Sequence, residues 1–164
     1  MTKALRVNSD GMLTSFNELA SIGATGDGGV NRPTFSEVHL AARKWFRAEV
    51  QKSGLEFRTD GAGNHSAVLA LSGTSRQASE DEARIKTLLL GSHLDSVPHG
   101  GRFDGALGVM AALEVLRTIK DNGIKLSVNL EAIDFTDEEG TLVGLLGSAA
   151  LAGHLKAENL QAPR

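Results

Sequence analysis

The chain has 164 residues, of which 41% are hydrophobic and 23% charged, and its formal net charge is −3. This length suffices for one domain with a hydrophobic core, and the balance of charges lacks the basic stripe of a nucleic-acid-binding protein. There is no cysteine, so disulfides and thiolate metal sites are excluded, and a metal would have to bind through nitrogen and oxygen atoms. Neither a signal-peptide pattern nor an apolar run of membrane-spanning length occurs, so we expect a cytoplasmic protein without membrane or nucleic-acid partners.

Two amphipathic helices are predicted in the first third of the chain. A turn that begins at Asn8 can cap a helix over about residues 10–21. Thr34, or Ser36 with Glu37 close behind, begins a second helix, in which apolar residues recur at helical spacing over residues 36–53. His39 falls beside the apolar face of that helix, and we expect its side chain on a solvated helix surface.

A glycine-rich loop over residues 23–33 connects these two helices. A surface connection is one interpretation, and the edge of an active site is another, because long loops of this kind often carry function. Two alternating segments, residues 55–59 and 65–71, follow on either side of a turn at 60–64 and predict a β-hairpin. The polar segment 72–83 that comes next is expected to be an exposed loop.

A strand–helix–strand unit is predicted in the second half of the chain. A buried strand over residues 85–91 leads to His93, a helix covers residues 105–120, and a second buried strand covers residues 125–135. Strands joined by a helical crossover run parallel. One more helix is predicted over about residues 148–157. The pattern therefore predicts an α/β fold with a mostly parallel sheet, preceded by a helical and hairpin portion.

Two clusters of metal-ligating residue types follow the two strands of this unit. His93, Asp95 and Asp104 come after the first strand, and Glu138 and Glu139 come after the second. Open α/β folds bind ligands beyond the carboxyl ends of their parallel strands, so we expect the two clusters to lie side by side. We interpret them as parts of one metal site. Capping and turn chemistry is the alternative that the residue types alone leave open.

The chemistry of a hydrolytic metal centre explains why these residue types matter. Such a centre needs neutral imidazole and carboxylate ligands, an open position for water, and a base. Asp95 lies two residues after His93 and can accept the ring N–H that does not face the metal. Asp104 follows a glycine-rich turn, and a single carboxylate can bridge two metals. Consecutive extended residues point to opposite sides, so one of Glu138 and Glu139 can bind metal while the other reaches the water.

Three motifs resemble those of a known enzyme family. They are Gly91-Ser92-His93-Leu94-Asp95-Ser96-Val97-Pro98, Gly100-Gly101-Arg102-Phe103-Asp104-Gly105-Ala106-Leu107-Gly108 and Phe135-Thr136-Asp137-Glu138-Glu139-Gly140. The loop from Ile22 to Ser36 and the turn at 60–64 are also similar, so the resemblance extends from about Leu13 to Leu155. The family comprises the dinuclear metal amidohydrolases related to aminoacylases and carboxypeptidases. The chain most resembles its branch of N-carbamoyl-L-amino acid hydrolases, allantoate amidohydrolases and β-ureidopropionases.

The resemblance implies a partial three-layer αβα catalytic domain with two divalent metal ions per site. Zinc is expected first, and manganese, cobalt or nickel are alternatives for such a set of nitrogen and oxygen ligands. The resemblance implies that His93 binds one metal, that Asp104 bridges both, and that Glu139 binds the second. It further implies that Glu138 is the general base and that Asp95 orients His93.

The resemblance also implies an activity and an organisation for the whole protein. The activity is hydrolysis of linear C–N amide bonds in N-carbamoyl amino acids, ureido acids or allantoate, by a homodimer. Residues 1–164 would form the N-terminal part of the catalytic domain, without the dimerisation domain, the C-terminal half or two further histidine ligands. Members often have a cis peptide after the bridging aspartate, which here is the Asp104–Gly105 bond. Because Leu142-Val143 stands where many relatives have Arg-Phe and the histidines are missing, an inactive domain with a partial metal site or an interaction role is the alternative.

Overall fold

The computed structural model describes residues 4–71 and 86–161. The elements of these two segments, in chain order, are α1 (Ser9–Ser21), α2 (Glu37–Lys52), β1 (Glu56–Thr59), β2 (His65–Leu69), β3 (Thr87–His93), α3 (Ala106–Asp121), β4 (Asn129–Phe135), α4 (Leu146–Leu151) and α5 (Ala157–Gln161). The predicted hairpin and the predicted strand–helix–strand unit are both present. The segment 72–83, expected to be an exposed loop, lies outside the described residues.

The four strands form one sheet in the order β1-β2-β4-β3. Strands β3 and β4 are parallel, as the helical crossover predicts, whereas β1 with β2 and β2 with β4 are antiparallel. The α/β class is therefore confirmed, but the described sheet is mixed where a mostly parallel one was expected. The reason is that the hairpin joins the same sheet, since β2 pairs directly with β4.

Strand β3 lies at an edge of the described sheet, which differs from the expectation of a buried strand. Leu88 of this strand is 52% exposed, and only His93 at its end is buried. Strand β4 has neighbours on both sides, and Leu130, Ala132 and Ile133 are buried there. The apolar run that precedes His93 therefore marks a strand, but its apolar character does not reflect complete burial.

The first three helices share one hydrophobic core with the sheet. Side chains of α1, α2 and α3 contribute most of it, together with residues of β2 and β4: Phe16, Leu19, Ala42, Phe46, Val50, Ala67, Val109, Met110, Leu113, Leu116, Leu130 and Ala132. Two helices begin where the sequence predicts a cap. The Asn8 side chain accepts a hydrogen bond from the Gly11 amide, and the Ser36 hydroxyl accepts one from the His39 amide.

The prediction that His39 lies on a solvated helix surface is wrong. Its side chain is 0% exposed, and its Nδ1 accepts a hydrogen bond of 2.9 Å from the Phe35 amide. Arg43, one turn further along α2, is also buried and pairs with Asp134 of β4 at 2.9 Å. The inner face of α2 thus contains two buried polar residues. His39 bonds to the turn just before the helix, and Arg43 bonds to a strand 91 positions away. Apolar periodicity alone would place both side chains outside the core.

The end of the chain also differs from the expected single helix over 148–157. Gly153 has a φ of 71° and ends the first of two short helices, α4, before α5 begins. No helix within the described segments is both long and apolar enough to cross a membrane.

Candidate metal centre

The parallel pairing of β3 and β4 brings the two polar clusters to one edge of the sheet. His93, the last residue of β3, is in register with Phe135, the last residue of β4. Glu138 and Glu139 follow β4 within four residues of that point, and Asp104 lies just before α3. The expectation that the clusters lie side by side therefore agrees with the register of the two strands.

Three side chains converge closely enough to hold one metal ion. Each of His93, Asp104 and Glu139 offers one ligand atom, and these atoms lie within 4.8 Å of one another. The imidazole is buried, the Asp104 carboxylate is exposed and the Glu139 carboxylate is partly exposed. The group therefore combines a fixed nitrogen ligand with two oxygen ligands that solvent and a cation can reach, a suitable donor set for zinc or a similar divalent ion.

The two ring nitrogens of His93 face different surroundings. Nδ1 lies 3.1 Å from the main-chain oxygen of Asp95, whereas Nε2 lies 3.3 Å from a Glu138 carboxylate oxygen and 3.9 Å from one of Asp104. If Nδ1 carries the proton and donates it to the Asp95 carbonyl, the lone pair of Nε2 points toward the carboxylates. A histidine that binds metal commonly donates its other ring N–H to an oxygen in this way.

Asp95 is fully buried beneath the imidazole and connects three segments of the chain. Its Oδ1 lies 3.4 Å from His93 Nδ1. Its Oδ2 accepts a hydrogen bond of 2.7 Å from the Thr34 hydroxyl and one of 3.1 Å from the Glu139 amide. The carboxylate therefore contacts one proposed ligand through its side chain and another through its backbone.

The electrostatics of the site favour a bound cation. Burial alone would lower the pKa of His93, but Asp95 and Glu138 outweigh it and raise that pKa to about 9. Burial raises the pKa of Glu139, against the effect of His93, and the negative charges of Asp104 and Glu138 raise it further. Within this cluster, several carboxylates thus share one positive charge, that of the protonated His93 ring. A divalent ion would relieve the mutual repulsion of these carboxylates.

Asp95 itself remains ionised. Burial raises the pKa of its carboxyl, but His93, the Thr34 hydroxyl and the Glu139 amide together lower that pKa to about 2. A carboxylate in this state accepts hydrogen bonds only, which suits a role in holding the Nδ1 side of the imidazole.

Glycine is required where the Asp104 turn approaches His93. Gly105 has a φ of 60°, and a Cβ atom built there would lie 2.5 Å from both the ring Cε1 and the main-chain oxygen of His93. The expected cis bond between Asp104 and Gly105 is wrong, because the described peptide bonds are all trans. The positive φ of Gly105 reverses the chain at this point with a trans bond.

The loop that carries the two glutamates is held by side chains that the sequence pattern did not reveal. Asp137 is buried with a φ of 53°, and its carboxylate accepts hydrogen bonds from the amides of residues 142, 143 and 144, the shortest being 2.7 Å. Asn64 accepts a 2.9 Å hydrogen bond from the Thr136 amide and donates one to the Gly147 carbonyl. The turn around Asn64 was visible in the sequence, but these two partners lie more than 70 positions away.

The glycine-rich loop packs against the segment that follows His93. The backbones of Val30 and Gly100 exchange two hydrogen bonds of 2.9 Å, and the Ser96 amide donates one of 3.0 Å to the Arg32 carbonyl. Arg32 is completely buried and donates through Nε to the Leu94 carbonyl. Of the two interpretations left open by the sequence, the edge of the site therefore describes this part of the loop better.

Comparison with known proteins identifies the family. The model of Peptidase family M28 matches residues 73–162, which is more than half of the chain. The chain belongs to Peptidase family M28. Its relatives within the resemblance noted above include an N-carbamoyl-L-amino acid amidohydrolase of Geobacillus stearothermophilus, which is 38% identical over 88% of the chain. An allantoate amidohydrolase of Bacillus subtilis is 35% identical over 89% of the chain.

A solved structure agrees with this assignment. A hydantoinase/carbamoylase family amidase from Burkholderia ambifaria superposes with a TM-score of 0.86 over 99% of the chain, at 34% identity. The chain covers 34% of the length of each of the two curated relatives and 38% of that structure. The resemblance to the carbamoyl and allantoate amidohydrolase branch is thereby confirmed, and this M28 chain spans about a third of such enzymes.

Proposed function

We propose that this chain supplies part of the metal-binding face of a hydrolase that cleaves linear C–N amide bonds in carbamoyl or ureido compounds. The observation that carries the proposal is the convergence of His93, Asp104 and Glu139 at the edge of the sheet, with Glu138 beside them. The names of the M28 relatives suggest N-carbamoyl amino acids, ureido acids or allantoate as the substrate class.

The proposed ligands are His93, Asp104 and Glu139, with Asp104 as the bridge if two ions bind. Zinc suits this set of nitrogen and oxygen donors, and manganese, cobalt or nickel are alternatives. Such an ion, when bound, polarises the substrate carbonyl and makes water easier to deprotonate. The exposed position of Asp104 leaves the outer side of the group open to substrate.

Glu138 is the proposed general base. Its carboxylate is partly exposed and lies 3.3 Å from His93 Nε2, on the side of the ring where the proposed ligands meet. Glu138 accepts a proton from water as the water oxygen adds to the amide carbon. It then passes this proton to the nitrogen as the C–N bond breaks, so the carboxylate is regenerated. Asp95 holds the opposite side of the imidazole throughout.

The rest of the proposed active site would come from segments outside this sequence. We propose that residues 1–164 form the N-terminal part of the catalytic domain. Two further histidine ligands, the residues that select the substrate and a dimerisation domain would come from the other two thirds of such a protein. The coverage of about a third of each relative supports this division.

The test measures catalysis directly. Residues 1–164, joined to the remaining segments proposed above, are incubated with Zn²⁺, Mn²⁺ or Co²⁺, and ammonia release is followed from N-carbamoyl amino acids and from allantoate. We expect Glu138→Gln to reduce turnover by at least about 100-fold, as loss of a general base does. Glu158→Gln, at an exposed position of α5, is the matched control. Activity that is unchanged in Glu138→Gln would refute the assignment of the base.

A second candidate is a domain that binds one metal ion without catalysis. The described residues hold one group of three candidate ligands, which favours this candidate. Calorimetric titration with Zn²⁺ separates the two candidates. One weak site per chain that is lost in His93→Ala, together with no ammonia release, would support the second. Two tight sites would contradict it, and His154→Ala, at an exposed histidine between α4 and α5, should bind as the wild type does.

A further inference from the structure

We propose that Thr34 is a positioning residue of this site, which acts through Asp95 on both His93 and Glu139. This inference rests on the proposed function, because it assigns Thr34 a role toward the bound metal. Thr34 is 5% exposed, and its hydroxyl donates the 2.7 Å hydrogen bond to Asp95 Oδ2 described above. It lies 61 positions before Asp95, in the turn that precedes α2.

The hydrogen bonds to the Asp95 side chain converge on one of its two oxygens. Oδ2 accepts from Thr34 and from the Glu139 amide, whereas Oδ1 has no hydrogen-bond partner among the described residues. The Thr34 hydroxyl makes the shortest of the contacts to this buried carboxylate, at 2.7 Å against 3.1 Å for the Glu139 amide and 3.4 Å for His93 Nδ1. Without the Thr34 hydroxyl, the Asp95 carboxylate is free to rotate away from His93 Nδ1 and the Glu139 amide, or to accept hydrogen bonds from other donors.

Thr34 is itself held on both sides. Its amide donates a 3.1 Å hydrogen bond to the Thr141 hydroxyl, in the loop that carries the glutamates. The next residue, Phe35, has a φ of 61°, which a non-glycine residue adopts only when its surroundings enforce it. The Phe35 amide donates a hydrogen bond to Nδ1 of the buried His39. The hydroxyl is thus aimed at Asp95 by contacts with two other parts of the chain.

The contact between Thr34 and Asp95 joins both halves of the proposed ligand set. His93 ends β3 and Glu139 follows β4, and Asp95 touches the imidazole of one and the amide of the other. Loss of the Thr34 hydroxyl should therefore loosen two ligands at once. Partners that orient metal ligands from behind typically contribute about 10–100-fold to metal affinity.

The experiment compares Zn²⁺ affinity by calorimetry in the wild type, Thr34→Val, Thr34→Ala and Thr34→Ser. Valine keeps the shape and lacks the hydroxyl, alanine lacks it without adding bulk, and serine keeps it. Thr118→Val is the control, since Thr118 is also buried but lies near the end of α3, away from the cluster. We expect both hydroxyl-free variants to bind Zn²⁺ at least about tenfold more weakly, and Thr34→Ser to be within about threefold of the wild type.

A second measurement separates positioning from a general loss of stability. The absorption spectrum of each protein saturated with Co²⁺ reports the ligand geometry, and urea unfolding reports the folded fraction. We expect an altered Co²⁺ spectrum in Thr34→Val and Thr34→Ala, and the wild-type spectrum in Thr34→Ser and Thr118→Val. Wild-type affinity and spectrum in both hydroxyl-free variants would overturn the inference alone. If the wild type binds no metal, the proposed function itself fails, and the role of Thr34 fails with it.

Discussion

The burial of His39 predicts a specific loss of stability at acidic pH. Burial and the neighbouring Arg43 lower the pKa of His39 from 6.5 to about 4. The folded protein therefore binds this proton less readily than the unfolded chain does. A group of this kind contributes stability above its unfolded pKa, and that contribution is lost as the pH falls toward its folded pKa. The neutral ring also suits the structure, because Nδ1 must accept the hydrogen bond from the Phe35 amide.

The magnitude follows from the two pKa values. Between pH 7 and pH 5 the unfolded histidine becomes almost fully protonated while the folded one stays mostly neutral. The free energy of unfolding should then fall by about 2 kcal/mol from this residue alone. The loss should begin near pH 6.5 and level off below about pH 4, since both states are protonated there.

The assay is urea unfolding at pH 7 and pH 5, followed by the fluorescence of Trp45, the single tryptophan, which packs partly buried against the core. His39→Asn keeps an acceptor near the Phe35 amide but cannot titrate, so the other titrating groups cancel in the difference between the two proteins. We expect the wild type to lose about 2 kcal/mol more than the variant on acidification. Equal losses in both proteins would refute the burial of a neutral histidine.

Two further substitutions probe the site and its support. Gly105→Ala should weaken Zn²⁺ binding at least about tenfold, because the added Cβ would meet the ring of His93 at a backbone φ that is positive. Gly101→Ala is the control, since a Cβ there would have no atom within 4 Å and should leave the affinity unchanged. Calorimetry measures both affinities, and equal values would contradict the steric argument. Arg43→Met leaves the carboxylate of Asp134 buried without its ion-pair partner, so the free energy of unfolding should fall by about 3–5 kcal/mol. Urea unfolding measures this change, and a fall below about 1 kcal/mol would show that the pair is dispensable.

Much of the architecture follows from local patterns of the sequence. The helical spacing of apolar residues and the caps at Asn8 and Ser36 predict α1 and α2 closely, because these signals act within one or two turns. The strand–helix–strand order predicts a parallel pair, since a helical crossover returns the chain in the same direction. The strand order therefore predicts that the proposed ligands His93 and Glu139 lie near each other.

Other features depend on partners that are remote in the sequence, and tertiary structure alone decided them. The hairpin could have formed a separate unit, but it pairs through β2 with β4 and makes the sheet mixed. His39 looks like a surface residue by periodicity, yet its side chain is completely buried on the face of α2 from which Arg43 pairs with Asp134, 91 positions away. The turn at Asp104–Gly105 likewise uses a positive φ and a trans bond.

The residues behind the proposed ligands show the same division most clearly. The sequence by itself determined which residue types stand at the strand ends, because hydrophobic period and chain direction are local properties. It did not reveal that Thr34 supports Asp95, or that Asp137 and Asn64 hold the glutamate loop. A buried polar group must find hydrogen-bond partners wherever the packed chain places them, and such pairs have no fixed spacing in sequence. Their identity is therefore a property of the tertiary structure.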